Sequence, residues 1–304
     1  MKKVVPFLEN ATHEKPRAAI FLSGGGSNAG KILTRLAGAA DHAPFRIAAL
    51  VTDAPEQSRA AELAASFGHP LIALDIRRFY QAHGETRVSI QTPRGRELRE
   101  QWTDALRQKL NPIKPDFGIL AGFVPLTNLT ADFPCLNVHP GDLTYCKDGQ
   151  RYLVGLHTIP IERAILEGLD AMRSSVIVAQ PYSGSGKEMD SGPILGISEP
   201  VAIDCQGETL EGLQELANKR PPKRPKGGFG DRLEALACHN QDRLKEQGDW
   251  VVFPQVVDDF ARRHFGQDED GDLWARIAGR WHPIETIVYG LHGREVRFRA
   301  EQET

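Results

Sequence analysis

The segment Cys135–Asp142, CLNVHPGD, carries an amide and an imidazole two residues apart at the end of an apolar run. In a strand, residues two apart share a face, so Asn137 and His139 face one side while Leu136 and Val138 face the other. Pro140 stops the strand, which sets both polar groups at a strand end, where open α/β sheets keep their ligand crevice. Farther along, EMDSGP (Glu188–Pro193) places Asp190 before a Ser-Gly-Pro turn that can hold a carboxylate out toward the same crevice. An Asn, a His and an Asp suit acyl transfer to an amine. Asn137 can donate to a developing oxyanion, His139 can stabilise it or move the amine proton, and Asp190 can orient and charge the imidazole. The amine attacks directly, so no serine or cysteine nucleophile is required. Residue types alone leave a plainer reading open: a strand-end histidine bonded to backbone, a turn-forming asparagine and an ordinary loop carboxylate.

A second motif lies near the N-terminus. AAIFLSGGGSNAGKI (Ala18–Ile32) sets three glycines, a serine and an asparagine between an apolar run and a helical pattern. Glycines let backbone approach an anion, and the free N–H groups at a helix start attract one. Ser27 and Asn28 add side-chain donors. Neither nucleotide template fits: Gly30-Lys31 is followed by Ile32 where a Walker loop needs Ser or Thr, and Ala29 falls where GxGxxG has its last small residue. A tight strand-to-helix turn without a ligand accounts equally for glycines alone.

The elements that must position these residues follow from apolar periodicity. Strands are predicted at Ala18–Ser23, Arg46–Thr52, Pro70–Leu74, Phe117–Ala121, Cys135–Val138, Ser175–Ala179 and Ile194–Val201. Helices are predicted at Asn28–Ala40, Ser58–Phe67, Gly95–Leu110, Ile159–Leu166 and Glu208–Ala217. Alternation of this kind gives an α/β fold with a doubly wound, mostly parallel sheet. The basic Pro/Gly-rich stretch 218–230, NKRPPKRPKGGFG, admits neither helix nor strand and reads as a loop, solvated or tethering an anion. Helices at Asp231–Gln247 and Phe253–Phe265 and short strands at Leu273–Ala278, Glu285–Tyr289 and Glu295–Phe298 follow. The expected organisation is a core over 1–217, the loop, and a C-terminal extension over 231–304 completing the same domain.

The formal net charge of −3 argues against a nucleic-acid partner, which needs an excess of Lys and Arg. No window approaches the roughly 18 apolar residues of a membrane span, and Met1–Pro16 lacks a signal-peptide core, so a cytoplasmic protein without a membrane partner is expected. Cys135, Cys146, Cys205 and Cys238 show no metal-ligand spacing and read as reduced thiols. No metal is expected, since direct amine attack needs only hydrogen bonding and proton transfer.

The segments FLSGGGSN (Phe21–Asn28), PDFGILAGFVPL (Pro115–Leu126), LNVHPGDL (Leu136–Leu143), GLHTIPIERAIL (Gly155–Leu166) and EMDSGPIL (Glu188–Leu195) occur in this order and spacing. Together they resemble the folate-dependent formyltransferase superfamily, and within it most closely the phosphoribosylglycinamide formyltransferases of purine synthesis. Over roughly Pro16–Leu216, and at GDWVVFP (Gly248–Pro254), the resemblance implies a Rossmann-like formyltransferase fold. It implies transfer of a formyl group from 10-formyltetrahydrofolate, a co-substrate, to the primary amine of a phosphoribosyl substrate. The resemblance makes Asn137, His139 and Asp190 the catalytic groups. It assigns substrate contacts to Gly25, Gly26, Ser27, Asn28, Gly122, Pro140 and an acidic ribose contact at Asp249. Folate contacts fall on Phe123, Val124, Pro125 and Leu126 and on Lys187, Glu188 and Met189, with the turn at His157 beside the substrate. The sequence departs from the family at HPGDLT (His139–Thr144) in place of HPSLLP, at Pro125 in place of a basic residue, at Asp249-Trp250, and in expanded segments at 77–94 and 140–157. Those departures surround the acceptor site, so an amino sugar or another amine is the alternative acceptor; water, in a hydrolase using the same three residues, is a further one.

Overall fold

The computed structural model describes residues 2–9, 15–156, 158–182 and 190–299. The strands are β1 (Val5–Pro6), β2 (Arg17–Phe21), β3 (Arg46–Thr52), β4 (Leu71–Ala73), β5 (Phe117–Leu120), β6 (Cys135–His139), β7 (Cys146–Lys147), β8 (Gln150–Arg151), β9 (Ala171–Met172), β10 (Ser175–Val178), β11 (Ile194–Ser198), β12 (Val201–Ala202), β13 (Phe265–Gln267), β14 (Leu273–Ile277), β15 (Arg280–Tyr289) and β16 (Arg294–Phe298). The helices are α1 (Ser27–Ala39), α2 (Ala60–Phe67), α3 (Ile76–Ala82), α4 (Pro93–Leu110), α5 (Ile159–Leu166), α6 (Leu210–Asn218), α7 (Arg232–Leu244) and α8 (Trp250–Ala261).

One sheet runs in the order β1-β13-β14-β15-β11-β10-β6-β5-β2-β3-β4, with β16 added on β15. From β6 to β4 every pair is parallel. The alternation of β2 shows why this half is doubly wound. Ala18, Ile20 and Leu22 pack with α1, α2 and α8 through Ile32, Leu63 and Phe253 on one face. Ala19 and Phe21 pack with α3 and α4 through Tyr80, Leu98 and Trp102 on the other. A strand buried on both faces must be apolar at every position, which is what RAAIF supplies after its first residue. After β6 the pairing turns antiparallel through β10 and β11, and β15 then joins β11 in parallel. The C-terminal strands thus extend the same sheet.

Four expected elements come out differently, one being the short strand expected at Glu285–Tyr289, which begins earlier, at Arg280. The run Ile194–Val201 divides, because Pro200 has no N–H for a ladder; β11 pairs with β10, and β12 crosses to β9. The helix expected at Phe253–Phe265 begins at Trp250 and ends at Ala261, and Phe265 opens β13. Helix α7 passes through a π-helical segment, Lys245–Asp249, directly into α8, so the helix expected to stop at Gln247 continues past it. Within the expanded 77–94 segment most of α3 appears, capped by Asp75, whose side chain accepts from Arg77 and Arg78 N–H.

The basic stretch is a loop whose arginines are engaged internally. Arg220 bonds Asp231 through both Nε and Nη2 at 2.7 Å and pairs with buried Glu162, while Arg224 pairs with Glu234. Both guanidinium groups lie over the Phe229 ring, Arg220 at 4.0 Å. That engagement removes them as a tether for an anion.

Candidate functional site

Strands β2, β5 and β6 are parallel neighbours, and Phe21, Leu120 and Asn137 lie in one cross-sheet row. Their carboxyl ends therefore open on one edge, and each is followed by a loop. A cavity of about 300 Å³ lies there, lined by Asn137, His139, Pro140 and Asp190, by the Gly122–Thr127 loop, and by Gly155, Leu156, Tyr182 and Gln241. The alternation expected for β6 holds: Leu136 and Val138 pack into the α1/α8 core while Asn137 and His139 share the opposite face.

The expanded 140–157 segment fixes the imidazole. His139 Nε2 donates to the Leu153 carbonyl at 2.7 Å, and since a carbonyl only accepts, Nε2 carries a hydrogen. Nδ1 is left facing Asp190 Oδ1 at 3.4 Å. Asp190 Oδ2 accepts from the Gly155 N–H at 3.2 Å, and Arg151 donates to the Asp190 main-chain carbonyl. This packing accounts for the glycine of HPGDLT. A Cβ at Gly141 would stand 2.5 Å from the Leu153 carbonyl and 2.9 Å from His139 Nε2, so no side chain has room here. Gly192 has the same purpose in the turn that delivers Asp190, since a Cβ there would run into the Val178 carbonyl. The Asn137 amide has no hydrogen-bond partner among the described residues, and it lines the cavity as an unengaged donor.

The loop after β5 is pinned from two sides. Ser23 N–H donates to the Gly122 carbonyl, Val124 N–H donates to Ser23 Oγ, and Arg99 Nη1 donates to the Leu126 carbonyl at 2.9 Å. Ser23 Oγ in turn donates to Asp53 at 2.5 Å, a carboxyl pushed up by burial. With its backbone tied, Phe123, Val124, Pro125 and Leu126 form an apolar wall, Val124 being 66% exposed.

The glycine loop sits apart from the cavity lining. Gly26 adopts φ +64°, and a Cβ there would meet Leu63 and Leu22 at 2.8 and 2.9 Å, so this position requires glycine. It caps α1 with no side-chain hydrogen bond, leaving the first N–H groups of the helix to another acceptor. Gly25 and Ser27 are exposed, whereas Asn28 Nδ2 donates to Asp249 Oδ2 at 3.1 Å. Asp249 is only 7% exposed, and its Oδ1 accepts from Ser174 Oγ at 2.5 Å. Of the residues named from the sequence, Asn137, His139, Asp190, Gly122, Pro140 and Phe123–Leu126 therefore meet in one cavity. Gly25–Asn28 and Asp249 form a neighbouring group, and His157, Lys187, Glu188 and Met189 lie outside the described residues. Leu153 and Gly155 carry no signal in the sequence because they act through a backbone carbonyl and N–H, and Arg151, Ser174 and Gln241 carry none because they lie in no motif and are brought to the site only by the fold.

No protein-family model matches the chain, and no curated protein does. Solved structures do. A phosphoribosylglycinamide formyltransferase from Anaplasma phagocytophilum superposes with a TM-score of 0.55 at 17% identity, covering 90% of this chain and 99% of that one. One from Coxiella burnetii, in complex with CHES, gives 0.55 at 17% identity over 88% and 96%. Glycinamide ribonucleotide transformylase 1 from Symbiobacterium toebii gives 0.51 at 19% identity over 83% and 90%. The chain has their fold. The doubly wound, Rossmann-like formyltransferase architecture expected from the sequence is thereby met, with the β6 edge holding the cavity.

Proposed function

We propose that this protein transfers a formyl group from 10-formyltetrahydrofolate to the primary amine of a phosphoribosyl substrate, as a cytoplasmic glycinamide-ribonucleotide formyltransferase of purine synthesis. The observation that carries this reading is the convergence of Asn137, His139 and Asp190 on one cavity beside an apolar, backbone-pinned wall. In the proposed step the amine nitrogen attacks the formyl carbon, forming a C–N bond while the carbonyl electrons move to oxygen. Asn137 donates to that oxyanion through its unengaged amide. The His139–Asp190 pair takes the proton lost by the amine and returns one to the folate nitrogen as its C–N bond breaks and the carbonyl reforms. The flat apolar wall of Phe123, Val124, Pro125 and Leu126 suits the pterin of the folate, and Gly122 and Pro140 border the acceptor. The uncapped start of α1 at Gly25–Asn28 suits the substrate phosphate.

A second reading keeps the chemistry and changes the acceptor to an unphosphorylated amine such as an amino sugar. The Asn28–Asp249 hydrogen bond favours it, because one donor of the glycine loop already holds a carboxylate. Initial rates with 10-formyltetrahydrofolate and either glycinamide ribonucleotide or its dephosphorylated riboside separate the two. The first reading expects kcat/KM to be far higher with the phosphate. Equal values support the second, and formate release with no formylated amine defeats both.

A further inference from the structure

The expanded 140–157 segment contains a hairpin whose attachments the proposed chemical step leaves unused. Strands β7 and β8 pair Cys146 with Arg151 and Lys147 with Gln150, around Asp148 and Gly149, both at positive φ. Two such residues make the tight turn that short hairpins favour. A hairpin this small is marginal on its own, so its position depends on what it is tied to. The chain leaving β8 then supplies three contacts to the His139–Asp190 pair. Arg151 donates to the Asp190 main-chain carbonyl, the Leu153 carbonyl accepts from His139 Nε2, and the Gly155 N–H donates to Asp190 Oδ2.

Arg163, on α5, ties that run down. Its Nη1 donates to the Tyr152 carbonyl at 2.8 Å and to the Val154 carbonyl at 3.0 Å, the two carbonyls that flank Leu153. Its guanidinium carbon also lies 5.4 Å from the centre of the Tyr152 ring. The Val154 carbonyl and the Gly155 N–H belong to one planar trans peptide and point to opposite sides of it. That single rigid unit is therefore bonded to Arg163 on one side and to Asp190 on the other. The helix beneath is fixed in turn, since Ile161, Ala164 and Ile165 are buried. A second tie, Lys147 to Glu167 at 2.7 Å, reaches only the exposed hairpin and touches neither carbonyl. A neutral imidazole carries one hydrogen, and the bond made at one nitrogen decides where it sits. With the Leu153 carbonyl displaced, that hydrogen can move to Nδ1 and bond Asp190, which leaves Nε2 bare.

We propose that Arg163 is a positioning residue for formyl transfer. By holding the Tyr152 and Val154 carbonyls it keeps the Leu153 carbonyl on His139 and the Gly155 N–H on Asp190, and so sets both the tautomer and the placement of the pair. This deepens the formyl-transfer reading and rests on it for the rate, though not for the state of the imidazole.

Nitrogen-15 spectra of the full chain labelled at histidine report which ring nitrogen carries hydrogen, with the His139 signals identified by their absence in His139→Ala. Wild type should carry hydrogen on Nε2. In Arg163→Met part of that hydrogen should move to Nδ1, and kcat with glycinamide ribonucleotide should fall by about tenfold to 10²-fold, with KM for the folate little changed. Arg163→Lys keeps one ammonium where the guanidinium spans two carbonyls and should lie between the two. It carries the test if Arg163→Met loses its near-ultraviolet circular dichroism. Lys147→Met should match wild type in both readouts. An unmoved Nε2 hydrogen or an unchanged kcat in the folded Arg163 variant, or an equal loss in Lys147→Met, overturns the proposal. A wild type that forms no formylated amine, while Nε2 still loses hydrogen in Arg163→Met, overturns the formyl-transfer reading and leaves the control of the tautomer standing.

Discussion

Removal of the Asn137 side chain isolates transition-state stabilisation from folding. The Asn137 amide makes no hydrogen bond among the described residues, so Asn137→Ala strands no buried partner. Its backbone ladder to β5 and β10 does not involve the side chain. Unfolding free energy should therefore stay within about 0.5 kcal/mol of wild type. Loss of one preorganised donor to an oxyanion costs about 10²–10³ in kcat, or about 2.7–4 kcal/mol of barrier. The donor acts only once charge develops on oxygen, so KM for the folate should barely move and kcat should carry the effect. Steady-state kinetics of formyl transfer, paired with chemical denaturation, read both quantities. Asn137→Asp sharpens the comparison, because it keeps the shape but replaces the donor with a charge that repels an oxyanion, and it should be no better than alanine. If Asn137→Ala retains more than about a tenth of the wild-type kcat, or loses its activity only through a matching loss of stability, the assigned role is wrong.

His139→Ala should lower kcat by about 10²–10⁴ while equilibrium binding of the folate survives, and lost binding would recast His139 as a structural residue. Gly26→Ala, forced against Leu63 and Leu22 at positive φ, should destabilise by about 1–3 kcal/mol in a denaturation series, whereas Gly25→Ala, with nothing near its Cβ, should be close to neutral; similar values for the two would contradict the loop geometry. Arg220→Ala should cost about 2 kcal/mol by leaving Glu162 short of a partner, with transfer rates unchanged. Arg220 holds the Asp231 carboxyl below its usual range, so that part of the stabilisation is present above the ordinary carboxylate pKa and is lost as pH falls through the lowered one. The wild type's advantage over Arg220→Ala in urea midpoint should accordingly narrow as pH falls below the ordinary Asp value of about 3.9.

The parallel half of the fold was legible because its strands are buried on both faces. Between Arg46 and Thr52 the strand RIAALVT is apolar at every position, and its expected bounds are the observed ones. The same holds for α5, whose Ile159–Leu166 periodicity survives intact. The Asn137/His139 pair was legible too, since a period of two in a strand is fixed by backbone geometry and Pro140 marks where it stops. Elements set by partners rather than by pattern were not legible. Strands β9 and β12 are two residues each, too short for alternation to register. The π-helical turn at Lys245–Asp249 contains a glycine, Gly248, which suggests a helix end in the sequence and does not distinguish that from a π-turn leading into a further helix.

What the chain determines by itself is therefore which side chains stand at the ends of β2 and β6 and which turn carries Asp190. Only the tertiary structure decides what those side chains touch. The Leu153 carbonyl selects the His139 tautomer, the Gly155 N–H holds Asp190, and Asp249 closes on Asn28 across a separation of 221 positions. Hydrogen-bond partners of this kind are chosen by three-dimensional proximity and by the cost of leaving a buried polar group unpaired, and no local pattern in the sequence records either.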